Sequence, residues 1–347
     1  MAKIIRRSQI AKLLDFLEKN YLVIAPIQKG DEFVFELINP HLGKPSQARK
    51  VALDYPTTVL PPTKVALLPP KQLMFNYNKS KSSNLKSQIS ELPPQVLFGV
   101  HDYDIQAINI LDQVMSAPNQ DYYYLSRRKK TIIIGIEHQR TPQHFDHYFP
   151  FDLAGGYDLF LSQMKNFFIV SVGSNLGQWL VELPFFEDSS WKIKRTKNRE
   201  KDIIFSPKTS KLIEKNKDSK IWDKVAETCL GCGVCSYVCP LCYCFETSDE
   251  ISLDGQQKCR YRRWDACFLP DFFQTAAGNT KTKLRDRIYN WYHHKFVRMP
   301  AEYGHPGCVG CGRCIAQCPA KINFREVLEE LIIESAKTKR KNGQKKK

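Results

Sequence analysis

The stretch Cys229–Pro240 reads CLGCGVCSYVCP, and Cys308–Pro319 reads CVGCGRCIAQCP. Each carries four cysteines in the spacing C-x2-C-x2-C-x3-C, closed by a proline. A C-x2-C-x2-C loop can wrap one face of a [4Fe–4S] cube and supply three thiolates, while the fourth cysteine, ahead of proline, reaches the cube of the other run. The spacing therefore predicts two [4Fe–4S] clusters with exchanged ligands. Cys229, Cys232, Cys235 and Cys318 are expected to hold one cube. Cys308, Cys311, Cys314 and Cys239 are expected to hold the other. Gly231, Gly233, Gly310 and Gly312 sit between the ligands, where backbone must approach closely and adopt positive φ. Structural zinc takes four ligands as separated C-x2-4-C pairs, which two runs of four fit poorly.

Working outward, 68 residues separate Cys239 from Cys308, more than a compact two-cluster ferredoxin needs. Within that span, Lys281–Phe296 has the apolar and aromatic spacing of a helix. Ile221–Thr228 and Asn323–Ser335 read as helices on either side. Residues 221–335 are thus expected to form a mainly helical dicluster domain. Residues 188–220 are lysine-rich and read as a hinge. In the last eleven residues, 337–347, seven side chains are basic, so 336–347 reads as a disordered tail.

Residues 1–187 read as an α/β domain. Apolar spacing predicts a helix over 8–20, with Ser8 as its cap, and strands over Tyr21–Ile27 and Phe33–Ile38. The prolines between 56 and 70 predict extended chain, and 78–90 reads as a loop. Then come a strand at Val96–Val100, a helix at Ile105–Met115 capped by Asp104, a strand at Thr131–Ile136, a helix at Tyr157–Met164 and a strand at Phe167–Val172. Such alternation predicts a partly parallel sheet. The stretch Val172–Gly177 (VGSNLG) reads as a turn or a ligand-binding loop. The fold class expected overall is α+β, multidomain.

The chain has 347 residues, 42% of them apolar, and a formal charge of +16 from 52 basic and 36 acidic side chains. That charge suits an acidic redox protein, an anionic surface or nucleic acid, and it equally suits a solvated lysine-rich face. The first residues lack an apolar signal core, no run of eighteen apolar residues occurs, and the twelve cysteines have metal spacing. Together these read as a protein of the reducing cytoplasm with no membrane span.

At Cys229–Phe245 (CLGCGVCSYVCPLCYCF), Arg263–Phe268 (RWDACF), His294-Lys295-Phe296 and Cys308–Pro319, the chain resembles the family of iron–sulfur subunits shared by anaerobic sulfite reductase and cytoplasmic NADP-linked sulfhydrogenase, where it is the β subunit. Val96–Asp104 (VLFGVHDYD), Leu111-Asp112, Asp121–Arg128 (DYYYLSRR) and Gly156–Leu159 (GYDL) extend the resemblance over roughly residues 60 to 330. It implies an electron relay between an NAD(P)H-linked flavin subunit, carrying FAD, and a catalytic subunit of the sulfite reductase or nickel–iron hydrogenase type. Cys242, Cys244 and Cys267 also stand at family positions. They are extra candidates for a metal, or small buried apolar side chains; Cys259 has no such match.

The chain departs from the family where His101-Asp102-Tyr103-Asp104 replaces Arg-Pro-Cys-Asp, and where His138 and then His144-Phe145-Asp146 replace further cysteines. His138, His144, Asp146 and His147 could bind a metal or lie in an exposed loop. Arg260, Arg262, Arg263, Arg285 and Arg287, between the two runs, could form a docking face or balance the charge of the cubes. No Gly-x-Gly-x-x-Gly, P-loop or Gly-x-Ser-x-Gly motif occurs, and no residue is assigned a catalytic role. The expected function is an electron-transfer subunit of an oxidoreductase. The alternative is a nucleic-acid-binding protein with structural clusters.

Overall fold

A computed structural model describes residues 2–38, 46–78, 93–149, 153, 155–191 and 207–344, except the side chains of 77, 78, 207 and 336–344. Residues 79–90 of the expected loop and 192–206 of the expected hinge lie outside the described residues. The chain divides into two compact units. One comprises 1–142, 151–198 and 245–264; the other comprises 143–150, 199–244 and 265–347. This division is not the contiguous one expected from composition, because 143–150 and 245–264 each find their partners far away in sequence.

The first unit is built on an eight-stranded mixed sheet. Its elements are β1 (Ala2–Arg6), α1 (Arg7–Leu17), β2 (Leu22–Lys29), β3 (Glu32–Leu37), β4 (Lys71–Asn78), β5 (Gln95–His101), α2 (Asp102–Ser116), α3 (Tyr122–Lys129), β6 (Thr131–Ile136), β7 (Leu159–Gln163), β8 (Phe167–Val172), α4 (Asn175–Leu180) and β9 (Phe186–Ser189). The strand order is β3-β2-β5-β6-β7-β8-β1-β9. The pairs β2–β5, β5–β6 and β6–β7 are parallel, and the remaining pairs are antiparallel. All six residues of β6 are buried, as are all of β5 beyond its first. Strands covered on both faces read as continuous apolar runs. Ile5, Leu14, Val96, Ile134, Leu161 and Phe168 belong to the core on this sheet.

Several expectations fail here for identifiable reasons. Tyr157–Met164 is not a helix but contains β7. Leu159, Phe160 and Leu161 are buried in succession, and a short run buried on both faces cannot be told from a helix by periodicity. Its register is fixed from outside, by Ile134 on one side and Val172 on the other. The helix α2 begins at Asp102 rather than after Asp104, which lies inside the first turn, fully buried. The proline-rich segment is not extended throughout, since Thr63–Leu67 forms a single π-helical turn after Pro61 and Pro62.

Val172–Gly177 acts as a turn. The Ser174 hydroxyl accepts from the Gly177 N–H at 3.0 Å and caps α4. A Cβ at Gly177 would lie 2.0 Å from the Asp158 carbonyl oxygen, so the glycine there serves close backbone packing. Asp158 ties this corner together, accepting from the Ile133 N–H at 2.8 Å and from the Ser174 hydroxyl. Asp158→Ala strands a backbone donor and loosens the cap. Chemical denaturation is expected to register a loss of about 1–3 kcal/mol.

The first unit also holds a three-stranded sheet that no apolar alternation announced. Its hairpin, β10 (Phe245–Ile251) and β11 (Gln257–Trp264), pairs through β11 with β4.

The second unit is mainly helical, as expected. It contains α5 (Pro207–Lys215), α6 (Ile221–Thr228), α7 (Val234–Tyr237), a two-strand turn of β12 (Gln274–Thr275) and β13 (Gly278–Asn279), α8 (Leu284–His293), α9 (Met299–Tyr303), α10 (Arg313–Ala316) and α11 (Phe324–Gln344). A π-helical turn, His294–Arg298, joins α8 to α9. An aromatic cluster holds these helices together. Trp222 packs on Tyr292, Tyr292 on Phe296, and Phe296 stacks on Phe324 at 6.2 Å. Helix α11 continues to Gln344, so the expected disordered tail gives way to a helical backbone as far as that residue. Lys, Ala, Glu and Arg are strong helix formers, and the apolar stripe of 324–331 carries the helix into them.

Candidate functional site

In the helical unit, cysteines line two neighbouring cavities. The first, of about 60 Å³, is lined by Cys229, Cys232, Cys235, Cys314 and Cys318. The second, of about 20 Å³, is lined by Cys239, Cys308, Cys311 and Cys314. Cys314, Trp291 and Phe324 border both cavities, so one wall separates them. The structure thus brings the fourth cysteine of each run to the cavity of the other.

Local backbone explains this placement. The two cysteine loops are built alike. Each enters a one-turn helix, α7 or α10, through a glycine in the left-handed region, Gly233 at φ 74° and Gly312 at φ 72°. Inside each loop a backbone N–H turns back onto the first thiol, Gly231 to Cys229 Sγ at 3.4 Å and Gly310 to Cys308 Sγ at 3.5 Å. The Leu241 and Ile322 N–H groups donate likewise to Cys239 and Cys318, both at 3.4 Å. Donors aimed at sulfur favour thiolate over thiol.

The second loop is pressed against the chain at 143–146. A Cβ at Gly310 would sit 2.4 Å from the Asp146 nitrogen, and one at Gly312 would sit 2.5 Å from the Gln143 carbonyl oxygen. The Phe145 N–H donates to the Gly310 carbonyl at 2.9 Å. The Phe145 ring borders the second cavity and packs edge-on against Phe324.

The electrostatics are those of thiols out of water. Burial pushes the Cys308 thiol up to about 12 and raises Cys235 and Cys314 as well. Cys239 goes the other way. A hydrogen bond from Cys242 and the charge of Lys295 hold it well below the ordinary thiol value, against the effect of burial. Lys295 is 3% exposed. Its Nζ donates to Cys239 Sγ at 3.1 Å and to the Gly307 carbonyl at 2.7 Å. Burial opposes its charge, but the negative charge that the neighbouring cysteines can carry, Cys239 foremost, outweighs that and holds the ammonium well above its usual value. Buried thiols of raised pKa ionise when a metal supplies the compensating charge, so the donor set fits iron–sulfur ligation. The thiols do not converge on one point. Among the described residues no group of three or more His, Cys, Asp or Glu could hold a single metal ion.

A 4Fe-4S dicluster domain matches residues 228–322. Sulfhydrogenase 2 subunit beta of Pyrococcus furiosus is 34% identical over 326 residues, spanning 89% of this chain and 92% of the relative. The chain belongs to this iron–sulfur subunit family. No solved structure matches it. The family carries over the expectation read from the cysteine region and identifies the chain as an iron–sulfur subunit of an oxidoreductase. Among the described residues no helix is long and apolar enough to cross a membrane.

The remaining candidates of the iron–sulfur subunit sort themselves by unit. Cys242 hydrogen-bonds Cys239, and Cys244 hydrogen-bonds Cys267; all four lie in the helical unit. Cys259 lies on β11 in the other unit, beside Tyr261. His138 Nδ1 is 2.6 Å from Asp102 Oδ1 in the first unit, whereas His144, Asp146 and His147 belong to the second. His144 and Asp146 are buried, so this stretch is not an exposed loop.

Arg260, Arg262 and Arg263 do not form a free basic face. They project from β11 and pair within the first unit, Arg260 with Asp249 at 2.7 Å, Arg262 with Asp121, and Arg263 with Glu250. Arg285 pairs with Asp223 at 2.8 Å. Arg287 Nη1 is held on the Lys281 and Thr282 carbonyls. Sequence reasoning missed Lys295 as a cluster-side group. Its signal was its place in the His294-Lys295-Phe296 stretch that carries the resemblance, which gave the lysine no role.

Proposed function

We propose that this subunit relays electrons between an NAD(P)H-linked, FAD-containing reductase subunit and the catalytic subunit of an oxidoreductase of the sulfite reductase or hydrogenase type. The reading rests on one observation: two thiol-lined cavities share a wall, and each takes its fourth cysteine from the other's run. Cys229, Cys232, Cys235 and Cys318 would hold one [4Fe–4S] cluster; Cys308, Cys311, Cys314 and Cys239 would hold the second. When bound, such clusters supply one-electron carriers.

The chain's own residues do the rest. Backbone N–H groups of Gly231, Leu241, Gly310 and Ile322 orient the thiolates. Trp291 and Phe324, shared by both cavities, exclude water from the wall between them. Cys232 is exposed, and Leu230 beside it is 68% exposed, so the first cavity is the one within reach of a partner. No general acid or base is required of a protein that only passes electrons.

Anaerobic reconstitution of the full chain is expected to bind about eight irons, four per cube. NADPH with an FAD-containing reductase that copurifies with it should then reduce both clusters, read by EPR. Two irons or fewer per chain, or full iron that no such flavoprotein reduces, defeats the proposal.

A further inference from the structure

The π-helical turn His294–Arg298 adds a residue to the helical path between α8 and α9. Turns of this kind re-aim a side chain and often mark functional positions. Here it aims Lys295 into the second cavity. Two reciprocal bonds fix it: the Gly307 N–H donates to the Lys295 carbonyl at 2.7 Å, and Lys295 Nζ donates to the Gly307 carbonyl at 2.7 Å. A Cβ at Gly307 would meet Lys295 Cα at 3.1 Å and its Cγ at 3.3 Å. Trp291 covers the ammonium from the side, its ring centroid 5.0 Å away. The lysine is thus built in, locked to the residue that precedes Cys308, with its third contact on Cys239 Sγ at 3.1 Å.

We infer that Lys295 is a positioning residue that holds up the reduction potential of the cluster on Cys239, Cys308, Cys311 and Cys314. The inference rests on the ligand assignment proposed above. Reduction adds a negative charge to a site from which water is excluded, and burial alone disfavours that charge. A fixed cation at hydrogen-bond distance from a ligating sulfur stabilises the reduced form more than the oxidised one. Charge and hydrogen bonds to sulfur are among the levers that set iron–sulfur potentials. The first cavity has no equivalent among the described residues. Arg287, whose charge reaches Cys229, spends its Nη1 on backbone carbonyls, and Cys232 of this cavity faces water. The field of Lys295 also reaches Cys235, but the hydrogen bond goes to Cys239. Lys295 therefore keeps the deeper cluster reducible by the shallower one.

The test is an EPR-monitored redox titration of the reconstituted full chain. It is run in a Cys232→Ser background, so that only the deeper cluster is seen. Lys295→Gln removes the charge, Lys295→Arg keeps it, and Gly307→Ala displaces the side chain while leaving its charge and all thiols in place. At the parent midpoint, Lys295→Gln is expected to lower the ratio of reduced to oxidised cluster by about tenfold or more, the size of a lost charge-assisted hydrogen bond. Gly307→Ala should lower it less, and Lys295→Arg should lie nearest the parent. In a Cys311→Ser background the shallower cluster should move much less. An unchanged potential in whichever of Lys295→Gln and Gly307→Ala loads iron overturns the inference. So does an equal fall with arginine, or failure of both variants to load iron, since Lys295 would then serve packing or assembly. A parent chain that binds no iron defeats the proposed function instead.

Discussion

Serine at Cys318 is expected to reproduce the defect of serine at Cys232, and serine at Cys239 that of serine at Cys311. Each single variant should retain about four of about eight irons and lose one of two EPR signals. Cys318 and Cys232 border the first cavity, while Cys239 and Cys311 border the second. A serine hydroxyl is a much poorer iron ligand than a thiolate, so one substitution empties one site. The pairing of phenotypes is the informative part. If Cys239→Ser matched Cys232→Ser instead, each run would hold its own cube, and the exchange that places the two sites beside one wall would be wrong. Iron analysis with EPR on the four variants decides between these outcomes.

Alanine at Gly310 should have the largest effect of any single methyl group in the helical unit. Gly310 stands at φ 69°, where a Cβ strains the backbone by about 1–2 kcal/mol. That Cβ would also lie 2.4 Å from the Asp146 nitrogen and 2.5 Å from the Phe145 carbonyl carbon. Both are backbone atoms, pinned by the Phe145 N–H bond to the Gly310 carbonyl, and cannot swing aside. Overpacking of this kind adds about 1–3 kcal/mol. A total of about 2–5 kcal/mol is expected in chemical denaturation, with poor loading of the second site. Gly255 is the control. It stands at φ 68° with nothing within 4 Å of its Cβ position, so Gly255→Ala should show the backbone strain alone and leave iron content unchanged. Equal losses at the two positions would remove the packing argument.

The contrast between these residues shows what was legible. The eight cluster cysteines and the four glycines among them could be read directly, because a cube needs short loops with ligands at fixed intervals and left-handed backbone between them. All four glycines have positive φ. The strands β6 and β8 and the helix α6 fall on their expected residues, since each is bounded by local signals. The strand β7 was misread and the hairpin β10–β11 was missed. What makes Leu159–Gln163 a strand is Ile134 and Val172 on either side. What makes Gln257–Trp264 a strand is pairing with β4, far earlier in the chain. The arginines on β11 invited a reading as a basic face, and only their carboxylate partners reveal them as internal ties.

Ligand type and spacing, then, are local properties of a few residues, and the amino-acid order sufficed to specify them, along with the dicluster class they imply. Which thiols share a cavity, which aromatic rings wall it off, and which lone ammonium stands against a sulfur depend on segments remote in the chain. Lys295, Gly307 and Cys239 meet because a π-helical turn redirects one side chain and two backbone bonds lock it. Charge interactions and steric exclusion act over a few ångströms of space without regard to chain distance, so these features came into being only with the packed fold.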